Sequence, residues 1–181
     1  MGLYGARIDT IAEKAGVNKR MIYVHFGNKE QLYTVTLTVV YNRLAQNEKV
    51  LLDCRQSCED VIRRIIAMYF DFLYRNPNFV RMLMWENLNG ARYIKASKAD
   101  IVKGYSLKVL EDTLARGISE GVFRPDIDFA NVILSINMFC FSYFSNIHTM
   151  GYIMKTDLEE ESAVAAYGEY IAEIILKFIQ K

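Results

Sequence analysis

Residues 18–25 concentrate side chains that could bind an anion. The surrounding stretch, residues 15–33, reads AGVNKRMIYVHFGNKEQLY and places asparagine, lysine, arginine, tyrosine and histidine within eight residues. These side chains donate hydrogen bonds or carry positive charge, which is the chemistry that binds phosphates and reads base edges. The same composition also suits a solvated turn. The stretch therefore predicts either an anion-binding surface or an exposed loop.

Catalytic and metal-binding chemistry finds little support in the rest of the chain. Histidine occurs only at His25 and His148, and no serine or cysteine has a plausible base beside it. Cys54 and Cys58 are four residues apart, but no further ligand lies near, which favours free thiols. The acidic run at residues 159–161 fits the start of a solvated helix, where the helix dipole favours negative charge. We predict no enzyme, no metal site and no cofactor.

Composition places the chain among ordered, helical proteins of the cytoplasm. Apolar residues make up 52% of 181 positions and only two prolines occur, so disorder is disfavoured and helices are favoured. The net charge of +1 divides into +2 for residues 1–30, with five basic and three acidic side chains, and −1 for the remainder. This asymmetry is too small to indicate a nucleic-acid partner by itself. Three cysteines without a secretory signal fit a reducing compartment.

One apolar run is long enough to cross a membrane. FANVILSINMFCFSYFSNIHTM, at residues 129–150, has the required length, but Asn131, Asn137, Asn146 and His148 interrupt it. We predict a helix buried in protein rather than in lipid, and no membrane partner.

Two short helices would position the polar stretch. Apolar residues recur at i, i+3, i+4 and i+7 from Ile8, and Gly16 ends that pattern; Ile22 and Phe26 lie one turn apart on a second helix. Two helices that cross steeply need a small residue at their contact, which Ala12 supplies, and a turn residue that tolerates positive φ, which Gly16 supplies. This is the spacing of a helix-turn-helix, whose second helix enters the major groove of DNA.

The third helix is predicted against its local propensity. TVTLTVV at residues 34–40 is β-branched and favours a strand. Asn28 followed by Gln31 has the pattern of a capping box, however, and nothing interrupts the chain up to about Leu52. We therefore predict a long helix. Further helices are predicted from Ser57 to Asn76, from about Asn78 to Leu88, from about Ser97 to Glu120, over 129–150 and over 157–180, with a loop at 122–128.

The stretch IAEKAGVNKRMIYVHFGNKEQLY resembles the DNA-binding signature of TetR-type (TetR/AcrR) transcriptional regulators. The resemblance covers residues 6–33, with its Ala-Gly-Val, basic pair, Ile-Tyr-x-His-Phe and Asn-Lys-Glu-x-Leu elements. Further along, NPNFVRMLMWENLN and GVFRPDIDF are similar to pieces of the family's regulatory domain. The resemblance implies an all-α fold, with a helix-turn-helix DNA-binding domain at residues 1–48 and a helical ligand-binding and dimerisation domain at residues 49–181.

The resemblance also implies roles for individual side chains. Asn18 caps the recognition helix, and Lys19 and Arg20 lie at its N-terminal end, where base edges are read. Tyr23 and His25 would bond to phosphates. The implied DNA contacts are Arg7, Asn18, Lys19, Arg20, Met21, Tyr23, His25 and Lys29. Three apolar residues are expected in the core instead: Val17, Ile22 and Phe26.

One departure from the family concerns the start of the chain. Family members have an additional helix before the pair, and it completes the core of the reading domain. This sequence begins Met-Gly-Leu-Tyr-Gly, and Ala6 occupies a position where the family often has a capping threonine. We expect residues upstream of Met1; a misplaced start is the other explanation. If the reading domain instead cannot hold together, the chain is a dimeric ligand-binding protein that has lost DNA binding.

Residues 49–181 are implied to contain a small-molecule pocket. Tryptophan and tyrosine combine an apolar face with a polar group, as pocket residues often do. A buried amide needs a hydrogen-bond partner, and a core bond is favoured over a ligand for Asn137. Ordinary packing is the alternative for each candidate. The candidates are Trp85, Glu86, Asn87, Tyr93, Asn137 and Phe141.

The last two helices are implied to form a homodimer. Small residues allow close helix contact and isoleucines add apolar area. The residues concerned are Ala163, Ala165, Ala166, Gly168, Ala172, Ile174, Ile175 and Ile179. Such a dimer would present two recognition helices about 34 Å apart to a palindromic operator. The implied function is a repressor that a small molecule releases from its operator by favouring a differently spaced dimer.

Overall fold

Every regular element in the part of the chain that the structure describes is a helix, which confirms the predicted all-α fold. This computed structural model describes residues 2–51, 56–97 and 105–181. Cys54 and residues 98–104 of the helix predicted from Ser97 lie outside those ranges. The helices are α1 (Gly2–Gly5), α2 (Ile8–Ala15), α3 (Lys19–Phe26), α4 (Lys29–Leu51), α5 (Cys58–Arg75), α6 (Pro77–Leu88), α7 (Arg92–Ala96), α8 (Tyr105–Ser119), α9 (Phe129–Met154) and α10 (Glu161–Ile179).

The chain divides into two compact units. Unit 1 comprises Met1–Arg43 and Arg81–Val102, and unit 2 comprises Leu44–Val80 and Lys103–Lys181. Unit 1 therefore contains the helix-turn-helix together with the second half of α6 and α7. The functional boundary predicted at residue 48 remains a prediction.

Local capping signals start two helices, at Asn28 and Ser57, where they were predicted, whereas Ser97, predicted as a helix start, is the C-cap of α7 and the last helix begins at Glu161. The Asn28 side chain accepts the Gln31 N–H at 2.8 Å, and the Ser57 hydroxyl accepts the Asp60 N–H at 3.1 Å. The β-branched stretch at residues 34–40 is helical, as predicted. Its threonine hydroxyls donate to the carbonyl one turn earlier, with 2.9 Å from Thr34 to Glu30, and this bond satisfies the hydroxyl within the helix.

Unit 2 is built around α5, which packs against α8, α9 and α10. The Phe70 ring lies against Gly168, where an added Cβ would come within 3.3 Å of the ring. The Phe123 ring fills the space left by the missing side chain of Gly117. Substituting either glycine would therefore displace a core phenylalanine.

This packing corrects part of the predicted dimer interface. Gly168, Ala172, Ile175 and Ile179 are buried within unit 2 of a single chain. They face α5 and the rest of the bundle, because a helix that covers its own core turns its small and apolar stripe inward. An interface on α10 has to use its exposed residues, which include Ala165 and Ala166.

Helix α9 is apolar on two sides. By length and composition alone it could cross a membrane, and 28% of its most apolar window is buried in the chain. One side buries Ile136, Cys140 and Phe144, which confirms the predicted burial in protein for that side only. The other side exposes Leu134 and Met138.

Candidate nucleic-acid interface

A small apolar core sets the geometry of α2 and α3. Ile8, Ala12 and Ile22 are buried together, with Phe26 and Leu32 partly buried against them. Ala12 is the small residue at this contact, as predicted. Ile22 faces back from α3, which confirms its predicted core position, and Phe26 contributes from its half-buried position.

The turn between the two helices requires a glycine. Gly16 adopts φ 66° and ψ 27°, the left-handed region, and its N–H donates to the Ala12 and Glu13 carbonyls. A side chain is strained in this conformation. The predicted positive φ at Gly16 is therefore confirmed, and it lets the chain reverse into α3 within two residues.

The N-terminal end of α3 is capped and open. Asn18 has extended backbone angles, and its side-chain oxygen accepts the Arg20 N–H at 2.8 Å. The positive end of the helix dipole favours an anion there. The exposed Arg20 side chain adds a full charge at the same end.

Most of the predicted DNA contacts lie on the surface of unit 1. Arg7 precedes α2, Lys29 begins α4, and the others lie on α3 or at its cap. The exposed members are Arg7, Asn18, Lys19, Arg20, Met21, Tyr23 and His25. Lys29 is half-buried, and its ammonium donates to the Tyr4 carbonyl at 3.4 Å.

The sequence-based prediction was wrong for one side chain of this surface, Val17, and did not include another, Asp9. Val17 was expected in the core, but 46% of it is exposed. It directly follows the left-handed Gly16, and although its N–H bonds to the Ala12 carbonyl, its side chain projects outward. Asp9 was not predicted to take part, yet its carboxylate lies 2.8 Å from the Lys19 ammonium.

The ion pair of Asp9 and Lys19 joins the two helices of the motif. The hydrogen bond and the charge of Asp9 raise the pKa of the Lys19 ammonium, so this lysine stays fully charged. No sequence pattern indicates the pair, because its members lie on different helices and meet only after the turn at Gly16.

Unit 1 has a second core, made of aromatic residues. Leu3 from α1, Leu37 from α4 and Tyr93 from α7 are buried together, and Tyr33 and Trp85 pack against them. The Trp85 ring centroid lies 5.1 Å from that of Tyr33 and 5.7 Å from that of Tyr93. Helix α1, a single turn at residues 2–5, thus contributes Leu3 to the aromatic core of unit 1.

Glu86 is a structural member of this core. It is fully buried at 0% exposure, and its carboxylate accepts the backbone N–H groups of Tyr93 at 3.2 Å and Ile94 at 3.1 Å. These are the first free N–H groups of α7, so Glu86 caps that helix from a distance. Burial, and then the nearby Glu86 charge, raise the pKa of the Tyr41 phenol to about 12.

The other predicted ligand residues already have partners or lie apart from the aromatic core. Asn87 is exposed and donates to the Leu83 carbonyl at 3.0 Å. Asn137, which is half-buried, donates to the Ile133 carbonyl of its own helix at 2.8 Å. Phe141 is half-buried on α9. Two surface clefts, of 180 and 370 Å³, are lined by other residues.

The thiols of the described ranges are buried, and no cluster of metal-binding side chains occurs there. Cys58 and Cys140 are buried and free, and burial raises the pKa of the Cys140 thiol to about 12. The Arg116 guanidinium donates to the Cys58 sulfur at 3.1 Å. Among residues 2–51, 56–97 and 105–181, no group of three or more histidine, cysteine or acidic side chains could hold a metal ion.

The glycine turn, the buried helix contact and the open cationic end of α3 define a helix-turn-helix DNA-binding protein. Residues 1–35 match the family described as "Bacterial regulatory proteins, tetR family", and residues 59–175 match "Tetracyclin repressor-like, C-terminal domain". The chain belongs to the TetR family of bacterial transcriptional regulators. The predicted resemblance and regulatory function are thereby confirmed.

Individual relatives agree with this assignment. The HTH-type transcriptional repressor NicS of Pseudomonas putida is 33% identical over 99% of this chain and 85% of its own length. The HTH-type transcriptional repressor SCO4008 of Streptomyces coelicolor is 31% identical over 74% of this chain and 68% of its own. In fold, the chain is similar to the fatty acid degradation regulator FadR from Bacillus halodurans, with a TM-score of 0.74 at 21% identity, covering 96% and 85% of the two chains.

Proposed function

We propose that this chain is a cytoplasmic, homodimeric repressor that binds a palindromic DNA operator and is released by a small molecule. The observation that carries the proposal is the exposed, Asn18-capped end of α3 with Arg20 beside it. The printed names of NicS and SCO4008, both transcriptional repressors, support repression. An all-helical regulator with this end exposed has the surface needed to enter a major groove.

The DNA contacts follow from position on α3. Arg20, at the first turn, would read a guanine through two hydrogen bonds. Met21 would contact a thymine methyl group or a phosphate, and Tyr23 and His25 would bond to phosphates. Arg7 and Lys29, at the starts of α2 and α4, and Asn18 would complete the backbone contacts. Lys19 differs from these residues because Asp9 already binds its ammonium.

The homodimer would use the exposed side of α9 and the exposed side of α10. Leu134 and Met138, one turn apart on α9, are exposed to solvent, as are Ile153 near the end of the same helix and Tyr170 on α10. Exposed apolar patches on a protein surface mark interaction sites. Pairing two α9–α10 surfaces would give the two-fold symmetry that a palindromic operator requires.

Release by an effector would be a population shift. A small molecule that binds more tightly to a dimer with differently spaced α3 helices lowers operator affinity by its differential affinity for the two states. The FadR regulator of Bacillus subtilis, similar in fold, is known in complex with stearoyl-CoA. Candidate effector contacts remain Trp85, Glu86, Asn87, Tyr93, Asn137 and Phe141, with one Glu86 carboxylate oxygen and the Asn137 amide already bonded within the chain.

Salt dependence tests DNA binding directly. We expect the chain to bind a mixed-sequence duplex at low salt and an operator more tightly, with log affinity falling linearly as log salt concentration rises. Fluorescence anisotropy over a potassium chloride series measures both. A chain without DNA affinity at the lowest salt would be the ligand-binding protein that has lost its reader, and repression would be refuted.

Replacing Arg20 with alanine tests base readout. We expect Arg20→Ala to weaken operator binding by roughly 1–3 kcal/mol and to relax base choice at one position, because a bidentate guanine contact is lost. The measurement is operator selection from a random duplex library, followed by titration of single-base variants. Arg81→Ala, which removes the same charge from an exposed site on α6, is the control. Equal loss on all sequences would contradict a base-reading role.

A further inference from the structure

The two adjacent cations at the tip of α3 have different surroundings. Successive residues on a helix point about 100° apart, so Lys19 and Arg20 face different directions. The Lys19 ammonium lies 2.8 Å from the Asp9 carboxylate of α2. The Arg20 guanidinium is exposed, and within the described ranges it has neither an ion pair nor a hydrogen bond.

We propose that Asp9 is a specificity-determining residue of the DNA-binding surface. It acts by forming an ion pair with the charged Lys19, which leaves Arg20 as the cation at the N-terminal end of α3 that contacts DNA. The inference rests on the proposed function. Asp9 is a positioning residue here, since it acts on the operator through Lys19.

The physical reason is the difference between general and specific DNA affinity. Non-specific affinity grows with each phosphate that a cation neutralises, because counterions are released. A lysine bound to a carboxylate neutralises no phosphate, and the carboxylate repels the DNA backbone. The pair therefore lowers affinity for all sequences, while base contacts from Arg20 keep the affinity for the operator. The ratio of the two affinities rises.

The same helix supplies a matched control. Glu13 is exposed on α2, and the described part of the chain contains no ion pair to it. Asp9→Asn and Glu13→Gln each remove one negative charge from α2, but only the first frees Lys19. Asp9 also lies in the first turn of α2, where the helix dipole favours a carboxylate, so thermal unfolding of each variant is recorded as well.

The experiment compares the wild-type chain with Asp9→Asn, Glu13→Gln, Lys19→Gln and the double variant Asp9→Asn/Lys19→Gln. The probes are a mixed-sequence duplex and an operator duplex that the wild-type chain selects from a random library. We expect Asp9→Asn to steepen the slope of log affinity against log salt by about 0.9 on both probes and to lower the ratio of operator to mixed-sequence affinity. Lys19→Gln alone should leave the slope unchanged, and the double variant should return to the wild-type slope.

Three outcomes overturn the inference. The first is an Asp9→Asn slope equal to that of Glu13→Gln, and the second is a flatter slope for Lys19→Gln alone, which would show that Lys19 already contacts a phosphate. The third is loss of all DNA affinity in Asp9→Asn together with a lower unfolding temperature, which would indicate a purely structural pair. In all three the wild-type chain still binds its operator. A wild-type chain without affinity overturns the proposed function, and this inference with it.

Discussion

Met138→Glu is expected to convert the proposed dimer into a monomer and to lower operator affinity by roughly 10²–10⁴-fold. Met138 is 53% exposed on α9, on the same side as Leu134. A glutamate there would be buried without a partner at the proposed α9 interface, and an unpaired buried charge is strongly unfavourable. A monomer binds only one half-site of the operator. It loses the high effective concentration that the second helix-turn-helix of a dimer has at the other half-site.

Sedimentation velocity measures the oligomeric state, and anisotropy measures affinity for a full operator and for a single half-site. Met84→Glu is the matched control, because Met84 is also exposed but lies on α6 in unit 1. The variant should bind the half-site as the wild-type chain does, since α3 is unchanged. A Met138→Glu chain that remains dimeric would exclude this side of α9 from the interface.

Ile22→Ala is expected to destabilise unit 1 by about 2–5 kcal/mol and to abolish operator binding. Ile22 is 7% exposed and belongs to a buried group of only three residues, with Ile8 and Ala12. A cavity in so small a core leaves few contacts to hold α3 at its angle to α2. Unit 2 has its own core around α5, so the chain should remain helical and dimeric.

The single tryptophan makes this selective loss measurable. Trp85 packs in the aromatic core of unit 1, so its fluorescence reports on unit 1 during urea unfolding, while far-ultraviolet circular dichroism reports on the whole chain. Val24→Ala, at a site 67% exposed on the same helix, should change stability by no more than about 0.5 kcal/mol. Coincident unfolding of both signals at an unchanged midpoint in Ile22→Ala would contradict the expectation.

These two variants separate the parts of the proposed mechanism. Met138→Glu should abolish dimerisation and leave the helix-turn-helix folded, whereas Ile22→Ala should unfold the helix-turn-helix and leave dimerisation intact. Mixing the two variants should not restore operator binding, because no combination of them gives a dimer with two folded helix-turn-helix motifs.

Local signals in the sequence determined the helices and the motif. Helix starts at Asn28 and Ser57 follow from a side chain that bonds to an N–H three residues later, and such a bond is visible in four consecutive letters. The turn at Gly16 follows from the rarity of positive φ in other residues. The β-branched segment at 34–40 is helical despite its strand propensity, and its threonine hydroxyls are satisfied by carbonyls one turn back.

Tertiary packing decided the contacts between residues that are distant in the sequence. Helix α7 follows Ala91, which has φ 58° and caps nothing with its side chain. The distant Glu86 carboxylate instead accepts two N–H groups of its first turn. Gly168 and Ala172 likewise face the chain's own core, and Asp9 pairs with Lys19, because of contacts between separate helices. Which face of a helix is covered, and which charge meets which, depends on elements that are distant in the sequence, and their contacts leave no periodic or capping pattern in it.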